Sequence, residues 1–143
     1  MKVKKLPGKL YKKIYSLVPR VTIDAIIKSN EGVLFIKRGI PPGKGRWHLC
    51  GETVEYGETL EQAVHRGVKE ETGMKVKILK YIGYYDDPKR DPRGPTISHV
   101  FLCRPIGGKL MGSPEGWELK FFKKIPKGLL FDHRKMLRDA GVK

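Results

Sequence analysis

The chain has 143 residues, enough for one domain with a core of its own, and 39% of them are apolar without any run of 18. A bilayer-spanning helix is therefore not expected. Thirty Lys and Arg against fifteen Asp and Glu give a formal charge of +15, a field that draws polyphosphates and nucleic acid without sequence preference, or else marks a lysine-rich surface. No recognition helix, zinc finger or RNA-binding aromatic signature accompanies it. Cys50 and Cys103 stand far apart without CxxC spacing. Neither a disulfide framework nor a zinc site is expected, and a reduced, cytoplasmic chain is the default.

Residues 1–20 read as a basic leader, with residues 21–143 as the domain proper. Leu10, Ile14, Leu17 and Val18 have helical spacing, interleaved with Lys9, Lys12 and Lys13. This predicts a short amphipathic helix, packed on the domain or lying on a membrane surface; the lysines rule out a signal-peptide core. Val21 to Lys28 reads as a strand, Ser29 to Gly32 as a turn and Val33 to Arg38 as the partner strand. Asp24, polar among apolar neighbours, lines a cleft or faces solvent. Gly39 to Gly45 is a loop by composition. Trp47 reads as core, and His48 and His65 as surface or hydrogen-bonded residues.

Gly51 to Met74, GETVEYGETLEQAVHRGVKEETGM, is the most informative stretch. Thr59 with Gln62 three residues on is a capping-box pattern, and Gly73 suits a left-handed cap. A helix over Leu60 to Thr72 is predicted. Leu60, Val64, Gly67 and Glu71 fall on one line of it, which starts apolar and ends in a carboxylate. Glu70, Glu71 and Glu58 together suit a hard divalent cation bound through oxygen; a solvated pair at a helix end is the plain alternative.

Beyond it, Val76, Ile78 and Ile82 suggest a strand to about Tyr84, Tyr85 to Pro95 a loop, and Thr96 to Arg104 a returning strand. Arg90 and Arg93 have the fork geometry to clamp a pyrophosphate, or pair internally with Asp86, Asp87 and Asp91. Gly107-Gly108 signals a hairpin turn. Glu118 to Phe122 reads as a last strand, and Asp132 as the cap of a closing helix, His133 to Ala140. The order of elements fits a single α/β domain.

The Gly51–Met74 stretch resembles a Nudix box, whose pattern is Gly, five residues, Glu, seven residues, then Arg-Glu-apolar-x-Glu-Glu-x-Gly-apolar. Glu58, Arg66, Val68, Glu70, Glu71, Gly73 and Met74 fall on it. Glu52 stands at the box glycine, although Gly51 precedes it, and Gly67 stands at the glutamate after the box arginine. The loop DPKRDPRG is similar to the segment following the box in Nudix proteins of the ADP-ribose pyrophosphatase type.

The resemblance covers about Val21 to Ala140 and implies a Nudix fold, a mixed β-sheet sandwiched between α-helices. It implies a metal-dependent hydrolase that splits the pyrophosphate of a nucleoside diphosphate linked to another moiety, ADP-ribose foremost, such as a nucleotide-sugar. Glu70 and Glu71 would hold Mg²⁺ or Mn²⁺, with Glu58 as ligand or neighbour and the Gly51 carbonyl as a further oxygen. Arg66 would brace the glutamates, and Arg90 and Arg93 would bind substrate. With Gly67 at the usual acidic position, the base that activates water is Glu52 or Glu118, the latter preferred over Glu115. Family members often form homodimers. The alternative is a Nudix-fold protein that binds a nucleotide or RNA and hydrolyses little.

Overall fold

The computed structural model describes residues 4–142. Its centre is strand β1 (Arg20–Ser29), whose six consecutive buried residues, Thr22 to Ile27, all pair with a parallel neighbour, and Thr22 to Ala25 with an antiparallel one as well. A two-residue turn leads to β2 (Gly32–Lys37), yet the hairpin pairs only at Lys28↔Val33 and Ser29↔Gly32. The two strands then diverge. β1 pairs antiparallel with β4 (Cys50–Thr53) and, along its length, parallel with β6 (Thr96–Gly108). β2 instead takes β3 (Trp47–His48) and β7 (Leu119–Phe122). β5 (Met74–Tyr85) closes the far edge against β6, and the whole forms one seven-stranded mixed sheet.

Side chains alternate across a strand, so β1 feeds two cores. Ile23, Ala25 and Ile27 pack with Ala63, Val64 and Val68 of helix α2 (Leu60–Thr72). Ile26 packs on the other face with Met136 and Leu137 of helix α3 (His133–Asp139). All of these are essentially inaccessible to water, and each large one contributes about 1.5–3 kcal/mol by leaving it. The Nudix-type sandwich expected from the sequence is the fold observed.

Two local expectations fail. Gly107 and Gly108 make no hairpin; β6 runs through them, pairing with Lys75 and Met74, because the long β5 still offers backbone partners there. Asp132 makes no side-chain cap on α3; Arg90 claims its carboxylate. The leader does form a helix, α1 (Gly8–Tyr15), but Leu10, Leu17 and Val18 stay exposed. The domain is met instead by Tyr11, whose hydroxyl lies 2.9 Å from Thr53 Oγ1 and accepts from Arg20. None of the helices is long and apolar enough to cross a membrane, among the described residues.

Candidate active site

Helix α2 begins as its sequence dictates. Thr59 Oγ1 accepts from Gln62 N, Gln62 Oε1 accepts from Thr59 N, and Gly73 ends the helix at φ +80. The cap fixes where Arg66 emerges. Its Nε and Nη2 donate to Glu58 at 2.6 and 2.9 Å, Nη2 also to the Thr53 carbonyl at 2.8 Å, and Nη1 to Glu70 at 3.1 Å. The Glu58 hydrogen bonds hold Arg66 above its ordinary range. Burial pushes Glu58 up, but the Arg66 fork and the Glu55 N–H outweigh it and leave the carboxyl below its usual value. Both Glu58 oxygens are thus consumed, and its side chain is 2% exposed. Of the two roles expected for Glu58, ligand or neighbour of the metal, this geometry favours the neighbour: it is the anchor of the arginine brace.

The glutamates that line the cleft are Glu52, Glu71 and Glu115, with Asp24 and Asp91 on its other side. Glu71, at the end of the Leu60–Val64–Gly67 line, has no hydrogen bond or ion pair to any described residue. Burial first, then the charges of Glu115, Glu52 and Glu70, push it up to about 7. Burial likewise pushes Glu52 up to about 7, against the partial relief of Arg66 Nη1 at 3.8 Å. Glu70 is more exposed and held by Arg66 and, at 2.8 Å, by Lys5. Glu118, preferred from the sequence, does not line the cleft, whereas Glu115 does. The loop between β6 and β7 brings Glu115 forward and leaves Glu118 at the start of a strand whose other rungs face β2.

The opposite wall rests on a buried network. Asp24 accepts from Ser98, lies 3.5 Å from His133 Nε2 and 4.0 Å from Arg90. His133 Nδ1 accepts the Leu49 N–H, so its proton sits on Nε2, toward Asp24. Burial pushes Asp24 up to about 6 and His133 down to about 3. Arg90 is locked bidentately onto Asp132 and also donates to Thr96, with 4% of its side chain exposed. Three of its five N–H groups are thereby engaged, so it braces the wall of the cleft that it also lines. Arg93 pairs with Asp91 but keeps 42% of its side chain exposed and lies 5.7 Å from the Phe131 ring centre.

The sequence reading missed the far end of the cleft. Arg38 lies 5.3 Å from the Trp117 ring centre, and His48 meets the same ring edge-on. Among the described residues, the buried side-chain polar atoms without a partner are Thr22 Oγ1, Arg38 Nε and His48 Nε2. All three residues line this cleft of about 270 Å³. His48 Nδ1 faces the Leu49 carbonyl at 2.8 Å, so Nε2 is a bare acceptor. Orphaned polar atoms gathered in one concavity are what a polar ligand satisfies. Only tertiary contact singles them out.

No three His, Cys, Asp or Glu side chains among the described residues surround one point as a closed cage would. The chemistry of the donors still suits a small hard cation. Mg²⁺ is ordinarily held by one or two carboxylates, water and substrate phosphates rather than by an all-protein cage. Half-buried carboxylates short of counter-charge are such donors.

The arrangement of a capped helix, an arginine-braced glutamate and carboxylates at a cleft matches a known family. The NUDIX domain family model matches residues 18–139, and the chain belongs to the Nudix family. An ADP-ribose pyrophosphatase of Methanocaldococcus jannaschii is 46% identical over 125 residues, covering 86% of this chain and 73% of that protein. The ADPR responsive transcriptional repressor NtrR of Acinetobacter baylyi is 27% identical over 85% of this chain, which spans 53% of the repressor. Among solved structures, the MutT NUDIX hydrolase of Burkholderia pseudomallei superimposes with a TM-score of 0.77 at 26% identity, covering 86% of this chain and 98% of that one. This chain is accordingly a Nudix pyrophosphohydrolase similar to ADP-ribose pyrophosphatases.

Proposed function

We propose that the protein is a cytoplasmic, metal-dependent enzyme that hydrolyses the pyrophosphate of a nucleoside diphosphate linked to a sugar, with ADP-ribose the favoured substrate. Water would attack one phosphorus, and the bond from that phosphorus to the bridging oxygen would break. ADP-ribose would thereby yield AMP and ribose 5-phosphate. Glu70 and Glu71, with the Gly51 carbonyl, would hold Mg²⁺ or Mn²⁺. Such a cation neutralises phosphate oxygens and lowers the pKa of bound water. The observation that carries the reading is Glu71, half-buried in the cleft lining, pushed up to about 7 and unpaired among the described residues. A carboxylate so placed is costly until a cation reaches it.

This chain's own residues do the rest. Arg66 fixes Glu70 and Glu58, so the helix end is rigid before substrate arrives. Arg38 and Arg93 receive the anionic diphosphate, and the Trp117 and Phe131 rings beside them offer apolar faces to a base or sugar. Arg90 and Asp132 hold the wall behind them. The 46% identity to an ADP-ribose pyrophosphatase supports the choice of substrate.

A phosphatase-coupled assay tests the proposal on ADP-ribose, NADH, diadenosine polyphosphates, nucleoside triphosphates and capped RNA, with Mg²⁺ and with Mn²⁺. Turnover of ADP-ribose ahead of the others, abolished by a chelator, is expected. A second reading, a nucleotide-binding protein that hydrolyses little, is favoured by Gly67 in the box and by the likeness to a repressor. Tight ADP-ribose binding without turnover of any substrate would select it.

A further inference from the structure

Helix α2 carries a glycine where its own pattern gives no cause for one. Gly67 is buried in the helix interior, and glycine is the poorest helix former there except proline. The cause lies across the interface. A Cβ on Gly67 would stand 2.6 Å from Cγ and 2.9 Å from Cβ of Glu52. It is the root of that glutamate, not its movable tip, that occupies the space.

The register of β4 explains why. Glu52 is paired with Ile23, on the face that packs against α2. Gly51 is paired with Asp24, on the other face, where a Cβ would come 2.6 Å from Asp24 Oδ1. Position 51 is therefore held small by Asp24, and a glutamate at 52 needs a small residue at 67. The Glu52 stem crosses Gly67, one turn or ~6 Å along the axis before Glu71. Its carboxylate opens into the cleft that Glu71 also lines. In the family pattern, glycine stands where this chain has Glu52 and glutamate where it has Gly67. The two departures are inverse, and they touch.

We propose that Glu52 and Gly67 form one reciprocal exchange: strand β4 supplies the cleft carboxylate that the family motif places on helix α2, and Gly67 is the positioning residue that admits it. Glu52 then joins Glu71 as an oxygen donor to the cation, which rests on the metal-dependent reading above. The exchange also predicts that restoring the motif at one position alone fails. Gly67→Glu would drive two glutamate stems into one space.

The experiment follows Mn²⁺ binding to metal-stripped protein by calorimetry and the metal-free thermal midpoint, beside turnover. The variants are Glu52→Gln, Gly67→Glu, the double variant Glu52→Gly with Gly67→Glu, and Glu71→Gln as the reference. Glu52→Gln keeps the stem, so the midpoint should hold while Mn²⁺ affinity falls by on the order of tenfold or more. Gly67→Glu alone should lower the midpoint, and the double variant should recover both midpoint and Mn²⁺ affinity. Wild-type Mn²⁺ binding by Glu52→Gln, with binding lost in Glu71→Gln, would overturn the exchange and leave the metal reading standing. So would a double variant no better than Gly67→Glu in either readout. Unchanged binding in Glu71→Gln would overturn the metal reading and the exchange with it.

Discussion

The β1–β4 ladder carries two carboxylates on adjacent rungs. Asp24 faces α3 and Glu52 faces α2. Burial pushes both upward, to about 6 and about 7. Their surroundings differ. Asp24 has the Ser98 hydroxyl, the His133 N–H and the Arg90 charge around it. Glu52 has no hydrogen bond among the described residues; Arg66 Nη1 at 3.8 Å, on a guanidinium already committed to Glu58, and the lesser charge of Lys5 are its relief. A buried carboxylate whose donors are built in belongs to the architecture. One left short of donors is a place for charge from outside the chain.

The comparison breaks first if the α2 side proves structural. Glu71→Gln removes a carboxylate with no partner among the described residues and keeps the shape. Turnover of ADP-ribose should fall on the order of 10³-fold, as when a charged group facing the reacting oxygens is removed. The urea midpoint should hold or rise, since an uncompensated half-buried charge has gone. A falling midpoint with retained turnover would place Glu71 in the architecture with Asp24.

The converse change is Asp24→Ala. It leaves the Ser98 hydroxyl and His133 N–H buried without an acceptor and takes a counter-charge from Arg90, which keeps Asp132. A loss of about 3 kcal/mol is expected, read as a lower urea midpoint at unchanged slope. A stability near that of the wild type would mean that water or Asp132 replaces Asp24, and the contrast between the two rungs would collapse.

How much of this was legible in the sequence follows the same divide. The α2 side was readable because its information is local: a capping box, a left-handed glycine and helical spacing gave the helix and the line on it that ends at Glu71. The α3 side was not, because Asp24, Arg90, Asp132 and His133 meet only through the parallel β1–β6 pairing and the return of the C-terminal helix. Arg90 reads locally as a substrate clamp or a partner of the nearby aspartates because Asp132, 42 residues away in the chain, is invisible to local pattern. Glu58 lies on the motif, but the depth that lets Arg66 bond both its oxygens is a matter of packing. Gly67 without Glu52 looked like a defect until the strand register set them against each other.

The buried network also sets the acid limb of stability. His48 and His133 are pushed down by burial to about 4 and about 3. Each contributes stability that is full above its unfolded value near 6.5 and is lost as pH falls toward the folded value. Asp24, raised to about 6, acts in the other direction, because the folded state takes up its proton first. Near pH 5 the unfolded chain therefore binds roughly two more protons through the histidines, while the folded chain binds about one more through Asp24 and further protons through Glu52 and Glu71, both raised to about 7. The two sets oppose each other, so Asp24 is read by difference. Asp24→Asn removes about one proton taken up by the folded state and should shift the slope of stability against pH by about 1.4 kcal/mol per pH unit, toward greater loss in acid, measured by urea melts between pH 4.5 and 6. An unchanged slope would mean that Asp24 does not titrate in this window.

The smallest expected effect separates the leader from the site it touches. Lys5 reaches Glu70 at 2.8 Å, but the two side chains are 54% and 36% exposed. Exposed pairs of this kind contribute only about 0–1 kcal/mol, because water screens the attraction and two long chains lose freedom. Arg66 holds Glu70 without it, at 3.1 Å from the same helix. Lys5→Ala should thus shift the urea midpoint barely beyond error and leave Glu70 in place. Its useful readout is cation affinity. An ammonium on Glu70 competes with a divalent ion for the same oxygens, so the variant should bind Mn²⁺ slightly more tightly, most visibly at low salt. Weaker binding would instead make the leader part of the cation site, and the line between scaffold and chemistry would have to be drawn through residue 5 rather than along β1.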